Sequence, residues 1–351
     1  MANTIVGLEI TEEVVRAAEV TTGRTARLVT YGSVPLPAGA AKDSEVFDKD
    51  AVVLAVRQLW TRAGIKGKNV ILGIGSRRIL VRDYTTQAMR PDLLALALPF
   101  QVQDLLPVPA DQAVLDFYPV SQEGDQVTGL LVAAVAETVE ELVATVGKAK
   151  VQIDVVDLAP FALARAAARL AAPDETVAAL YLGDHTSYVV VLHNGVPRFV
   201  RIIPVDIATD AVVARENAGA PADIDTPIVE EVFETVPPTP AGEIPLRRRS
   251  SGRAAARTTG MTESAIDDLV TRLGSTLRFY ADRSTDHPVT RVLVSGSGAA
   301  VDGIVDALEI SLPMPVAVLG ASSVFELKGA LALGDDVSIL TTAGLTLGEN
   351  R

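Results

Sequence analysis

The sequence predicts an α/β protein built from two related halves, and three observations carry that expectation. Residues 177–204 alternate apolar runs and tight turns in the pattern of a three-stranded meander. The runs are 177–182, 187–193 and 196–203, separated by Gly183-Asp184-His185-Thr186 and by Asn194-Gly195. Asn-Gly suits a two-residue type I′ turn, in which both central residues take positive φ. Residues 5–34 repeat the plan, with runs at 5–10, 14–20 and 27–34 around Thr11-Glu12-Glu13 and Thr22-Gly23. Glu9 precedes Gly23 by fourteen residues and Tyr181 precedes Gly195 by the same fourteen, so the meanders share one internal spacing. At 351 residues the chain is long enough for two domains of ordinary size.

Each meander leads into helices and strands. Residues 35–50 are small and polar and read as a loop. Val52, Val53, Val56, Leu59 and Trp60 recur at helical spacing, which predicts a helix over 51–63 ended by Gly64. Apolar runs predict strands at 70–74 and 79–84. A second helix is predicted at 92–106, kinked or divided by Pro99, which removes a main-chain hydrogen bond. Strands follow at 113–120 and 128–136, then a helix at 137–150, a strand at 153–158, and an Ala-rich helix at 161–171 opened by Pro160. In the second half, helices are predicted at 206–215, 263–282, 301–309 and 343–348, and strands at 291–295 and 316–319. Residues 217–262 stand apart: six prolines, an acidic first part and Arg247-Arg248-Arg249 in a basic second part predict disorder.

Composition excludes several classes of function. A net charge of −13 argues against a general nucleic-acid binder and against adhesion to anionic lipid by charge. The chain has no Cys, hence no disulfide and no thiolate chemistry. His185, His193 and His287 show no ligand spacing, so no metal site of the His/Cys kind is expected. No apolar run reaches the roughly 18 residues that span a bilayer, and no basic stretch followed by an apolar core opens the chain. A soluble protein without direct membrane insertion is the expectation.

Four stretches carry a family resemblance. IVGLEITEEVVRAAEV is similar to the first phosphate loop of the actin-like ATPase superfamily, ALYLGDHTSYVVVLHNGVPRFVRIIP to the second, VVDLAPFALARA to the connecting motif, and VLVSGSGAAVDGIVDAL to the adenosine motif. Nearly everything outside 217–262 resembles the type IV pilus branch of that superfamily, the PilM family, a relative of the division protein FtsA. The resemblance implies a duplicated ribonuclease-H-like β-β-β-α-β-α fold of two lobes. The expected domains are 1–172, with an inserted subdomain at about 36–118, and 173–351, with the disordered insertion 217–262. It also implies a cleft that would hold ATP with Mg²⁺. The residues that would face the nucleotide are Glu9, Thr11, Glu12, Gly183, Asp184, His185, Thr186, Arg272, Gly296, Ser297 and Gly298. The implied partner is the short N-terminal tail of a PilN-like single-pass membrane protein. The implied place is the cytoplasmic face of the cell membrane, beside the pilus assembly ATPases.

The phosphate loops depart from the superfamily pattern. Glu9 stands where an Asp is usual, Thr11 replaces a Gly, and Glu12 and Glu13 replace small hydroxyl residues. Tyr181 replaces the second Asp, and Ala159 replaces the Glu before the proline of the connecting motif. Near a triphosphate, each added carboxylate opposes binding by roughly 3 kcal/mol at about 5 Å and an effective dielectric of about 20. Two readings therefore stand. One is a scaffold with a degenerate cleft and no catalytic residues; the other is an active ATPase, a sugar-kinase relative or an FtsA-like filament former. Bland alternatives stand beside the site residues: Gly296-Ser297-Gly298 as an ordinary strand-to-helix turn, His185 and Glu12-Glu13 as a solvated turn, Arg272 as a surface residue. The helix at 92–106 is more apolar than one buried face requires. Leu94, Leu98 and Phe100 are therefore assigned to binding the partner's tail, between this subdomain and the core of the first half.

Overall fold

The computed structural model describes residues 3–23, 25–219 and 261–348. Strands β1 (Thr4–Ile10), β2 (Val14–Thr21) and β3 (Leu28–Pro35) form the first meander. A hairpin, β4 (Ala41–Lys42) and β5 (Glu45–Val46), leads into helix α1 (Lys49–Ala63) and strand β6 (Asn69–Ile74). Gly64 ends α1 in the left-handed region at φ 64°, and Asp48 caps its start by accepting from the Ala51 amide. Strand β7 (Leu80–Gln87), helix α2 (Pro91–Gln101), and strands β8 (Ala113–Glu123) and β9 (Gln126–Val135) come next. Helix α3 (Ala136–Lys148), strand β10 (Ile153–Leu158) and helix α4 (Ala159–Ala168) finish the first half.

The second half begins with β11 (Thr176–Leu182), β12 (Thr186–His193) and β13 (Val196–Pro204). Asn194 and Gly195 both take positive φ, at 53° and 74°, as the type I′ turn requires. Helices α5 (Asp210–Gly219) and α6 (Glu263–Arg283), strand β14 (Arg291–Ser295), helix α7 (Ile304–Ser311), strand β15 (Val316–Val318) and helix α8 (Leu333–Gly344) complete the chain. Of the segment expected to be disordered, residues 217–219 belong to α5 and 220–260 lie outside the described residues.

The duplication appears in the strand order. One sheet runs β10-β6-β1-β2-β3 and the other β15-β14-β11-β12-β13, the same plan used twice. In each, the meander is antiparallel and its first strand pairs in parallel with the strand after the helix: Val6 lies opposite Val70, and Ala178 opposite Val292. This is the two-lobed actin-like arrangement. Helices α1 and α3 cover the outer face of the first sheet through Val52, Val56, Leu59, Leu142 and Val146. Helices α6 and α7 cover the outer face of the second through Leu269, Leu273, Leu277, Ile304 and Leu308. Between the sheets, α4 and α8 share one core. There α4 lies on β11, β12 and β13, while α8 returns to β1 and β2. Close approach demands small residues: a Cβ on Gly7 would stand 1.9 Å from the Thr342 carbonyl oxygen of α8, and one on Gly344 would stand 2.6 Å from that of Ala162.

Two expectations are corrected. Residues 36–79 do not belong to an inserted subdomain, because β6 pairs in parallel with β1 and α1 packs on β2 and β3. The additional sheet is β7-β9-β8, wholly antiparallel, and it begins at Leu80 and ends at Val135. Helix α8 is longer than the tail helix expected at 343–348; its Gly334, Asp335 and Asp336 hide the helical pattern, although Val337, Ile339, Leu340 and Ala343 are fully buried.

Candidate site in the cleft between the lobes

The β1–β2 turn and the β11–β12 turn face each other across the cleft between the lobes. Glu9, Thr11, Glu12, Asp184, His185 and Tyr188 are among the residues lining it, and it encloses about 660 Å³ including space open to solvent. Thr11 shapes the first turn: its hydroxyl accepts from the amides of Glu13 and Val14. Each lobe sends charged groups into the other. Arg16 of β2, 5% exposed, points its guanidinium at Asp184, with Nη2 3.6 Å from Oδ2. The other oxygen of Asp184 accepts from Thr209 at 2.6 Å and from Ser297 at 3.0 Å. Burial works against the charge of Arg16, but Tyr181, Asp184 and Glu9 around it hold it protonated.

Glu13, 2% exposed, reaches the opposite way. Its Oε1 receives His185 Nε2 at 2.6 Å and Arg215 Nη1 at 2.6 Å. The other ring nitrogen of His185 lies 2.7 Å from Asp206 Oδ1. Both ring nitrogens face carboxylates, an arrangement only the imidazolium can satisfy with two donors. The hydrogen bond to Glu13 is the main cause that pushes the His185 pKa up to about 9. On the cleft floor Tyr181 and Tyr188 stack, with ring centroids 4.4 Å apart and planes within 8°. Burial raises the pKa of both phenols. Burial also pushes the Glu9 carboxyl above the usual range, although the Thr342 hydroxyl donates to it and Arg16 stands close.

A family model described as "Type IV pilus assembly protein PilM" matches residues 7–202. The chain belongs to the PilM family. A chain of a structure titled "PilM-PilN type IV pilus biogenesis complex" superposes with a TM-score of 0.77 at 22% identity, covering 98% of this chain and 97% of that one. A protein of unknown function from Bacteroides thetaiotaomicron, described as having an actin-like ATPase fold, gives 0.47 at 6% identity, with 98% and 96% covered. The ethanolamine utilization protein EutJ from Carboxydothermus hydrogenoformans gives 0.47 at 13%, with 97% and 88% covered. No curated protein sequence matches.

In this PilM-family chain the expected site residues separate into groups. Glu9, Thr11, Glu12, Gly183, Asp184, His185 and Thr186 come together in the cleft. Arg272 of α6 lies in an adjoining hollow with Pro204, Met261, Asp268 and His185, and its guanidinium donates to the Pro204 carbonyl at 3.4 Å. Gly296 and Gly298 answer to packing: a Cβ on Gly296, where φ is 90°, would stand 2.4 Å from the Leu182 carbonyl oxygen, and one on Gly298 2.8 Å from Leu182 Cβ. Ser297 reaches Asp184 instead of the hollow around Arg272. Leu98, 2% exposed, is corrected from partner contact to core: with Val102 and Leu131 it forms the centre of the additional sheet's packing, and Leu94 packs beside them. Phe100 is 83% exposed.

Sequence reasoning passed over Glu13 as a site residue, and with it Arg16, Thr209, Arg215 and Thr342. Arg16 left a signal. It is a single cation in the otherwise apolar run Val14-Val15-Arg16-Ala17-Ala18, where only a buried partner could tolerate it. Arg215 left none, since its role depends on how α5 docks against the first turn.

Proposed function

We propose that this protein is a scaffold of a type IV pilus assembly platform that binds the N-terminal tail of a PilN-like single-pass membrane protein. It works in the cytoplasm, held at the inner face of the membrane through that partner and beside the assembly ATPases. No helix among the described residues is long and apolar enough to cross a membrane, which agrees with recruitment by a protein. The observation that carries the reading is an apolar groove between the first lobe and the additional sheet. Ile74, Ile79, Ala134, Val135, Val139 and Leu142 line it, and Asp43 and Arg78 stand at its edge. A tail segment can read its register there from the apolar wall and meet Ser44, Ser76 and Thr138 as polar partners. Phe100, with Leu93 and Leu96, adds an exposed apolar ridge on the same subdomain for a second contact.

In this reading the cleft does not turn over ATP. Tyr181, stacked on Tyr188, stands where the superfamily has an Asp. The carboxylate of Glu13 meets His185 directly across the space between the turns. These residues do not fit a triphosphate with Mg²⁺. The test is a synthetic peptide of the partner's tail. Val139→Asp should abolish binding and Phe100→Asp should weaken it, with the melting temperature of each preserved. Unchanged affinity in both refutes the site. Phosphate release from ATP and Mg²⁺ should equal that of buffer; a rate that falls on Thr186→Ala would refute the reading of an inactive cleft.

A further inference from the structure

The charges in the cleft pair across it in both directions. Arg16 of the first lobe meets Asp184 of the second, and Glu13 of the first meets His185 and Arg215 of the second. Glu13 is the telling member. A single oxygen takes two cationic donors at 2.6 Å each, while Oε2 is buried without a hydrogen-bond partner among the described residues. A carboxylate that merely decorated a turn would keep its oxygens in water, because burying an unpaired polar atom is costly. This one is held like a bound anion, by donors that belong to the opposite lobe.

We propose that Glu13 is an internal anion: its carboxylate occupies a cationic seat formed by His185 and Arg215, holds the lobes together without a ligand, and leaves a seat for a small oxyanion when it is removed. The inference rests on the reading of an inactive cleft, and it adds what takes the ligand's place there. Truncating the side chain leaves two half-buried cations facing a space the size of a carboxymethyl group, which acetate or inorganic phosphate can enter. In the wild type any such anion must first displace a tethered carboxylate, so none binds.

The experiment is rescue of Glu13→Ala by anions. Its melting temperature should lie roughly 5 °C below wild type, the scale of loss when a buried ion pair is broken in a protein of this size. Sodium acetate or phosphate should restore more of that loss than sodium chloride at equal ionic strength. Wild type should not distinguish the salts, and Arg215→Ala added to Glu13→Ala should abolish the rescue. A variant as stable as wild type, or one that acetate and phosphate help no more than chloride does, overturns the proposal. If Glu13→Ala does not fold, Glu13→Gln keeps the size and removes the charge. The pKa of His185, followed by NMR among the three histidines, should then fall from about 9 towards 6.5, and a value unchanged by Glu13→Gln also overturns it. Neither readout involves phosphate release from ATP or the partner's tail, so a failure of this inference is distinguishable from a failure of the inactive-cleft reading.

Discussion

Removing the proton from His185 should loosen the two lobes. The folded pKa is raised from 6.5 to about 9, so folding takes up a proton between those values. The stabilisation is complete below pH 6.5 and is lost as the pH rises through 9. At about 1.4 kcal/mol per pKa unit the whole rise is worth at most roughly 3 kcal/mol. The His185 side chain is 20% exposed and its partner Asp206 is 90% exposed. Solvent screening of that side reduces the expected loss to about 1.5 kcal/mol. Burial also raises the carboxyls of Glu9 and Glu12, so the comparison with His185→Gln is what isolates the histidine. The chain has no Cys and only two other histidines. Burial and the neighbouring His287 lower the pKa of His193, so its contribution changes below 6.5. Tyr181, Tyr188 and Tyr280 are all raised above 10. Urea midpoints for wild type and His185→Gln, measured at intervals across the window, should diverge at the acid end and converge at the alkaline end. Parallel profiles for the two proteins would refute the linkage.

Two further outcomes follow from packing. Gly7→Ala should destabilise the fold by more than about 3 kcal/mol, because the added methyl meets the main chain of α8 at 1.9 Å; thermal unfolding measures it, and a loss under about 1 kcal/mol would contradict the packing of α8 on β1. Leu98→Asp should unfold the additional sheet by placing a charge in its core, seen as lost amide protection in β7 and β9, whereas Phe100→Asp at an exposed position should change stability by less than about 0.5 kcal/mol.

Repetition made most of the fold legible. The two meanders, their turns at Asn194-Gly195 and Gly23, and the strands at 153–158 and 291–295 stand where alternation and turn chemistry place them. Local signals also found α1, whose cap and apolar face lie within one short stretch. What the pattern could not convey was tertiary. The hairpin Ala41–Val46 is too short for a periodicity, and α8 carries polar residues in its first turn. The surplus of leucines in α2 was legible, but not its division into a buried Leu98 and exposed Leu93, Leu96 and Phe100, since Pro99 disturbs the helical face. In the cleft, the conspicuous loop residues were found. The groups that pair with them come from β2 and α5, and only the closing of the lobes brings them near.

The return of α8 to the first sheet has a consequence for biosynthesis. Strands β1 and β2 are made long before α8, yet Gly7 packs against Thr342, and Gly73 in β6 against Leu345. The part of the first sheet's inner face over β1 and β2 stays uncovered until α8 has been made. The N-terminal half cannot mature as a finished unit while the rest is translated, and contacts of such sequence separation form slowly. A nascent chain of this kind exposes apolar strand surface until α8 emerges, and such surface is what makes a partly made chain prone to aggregate.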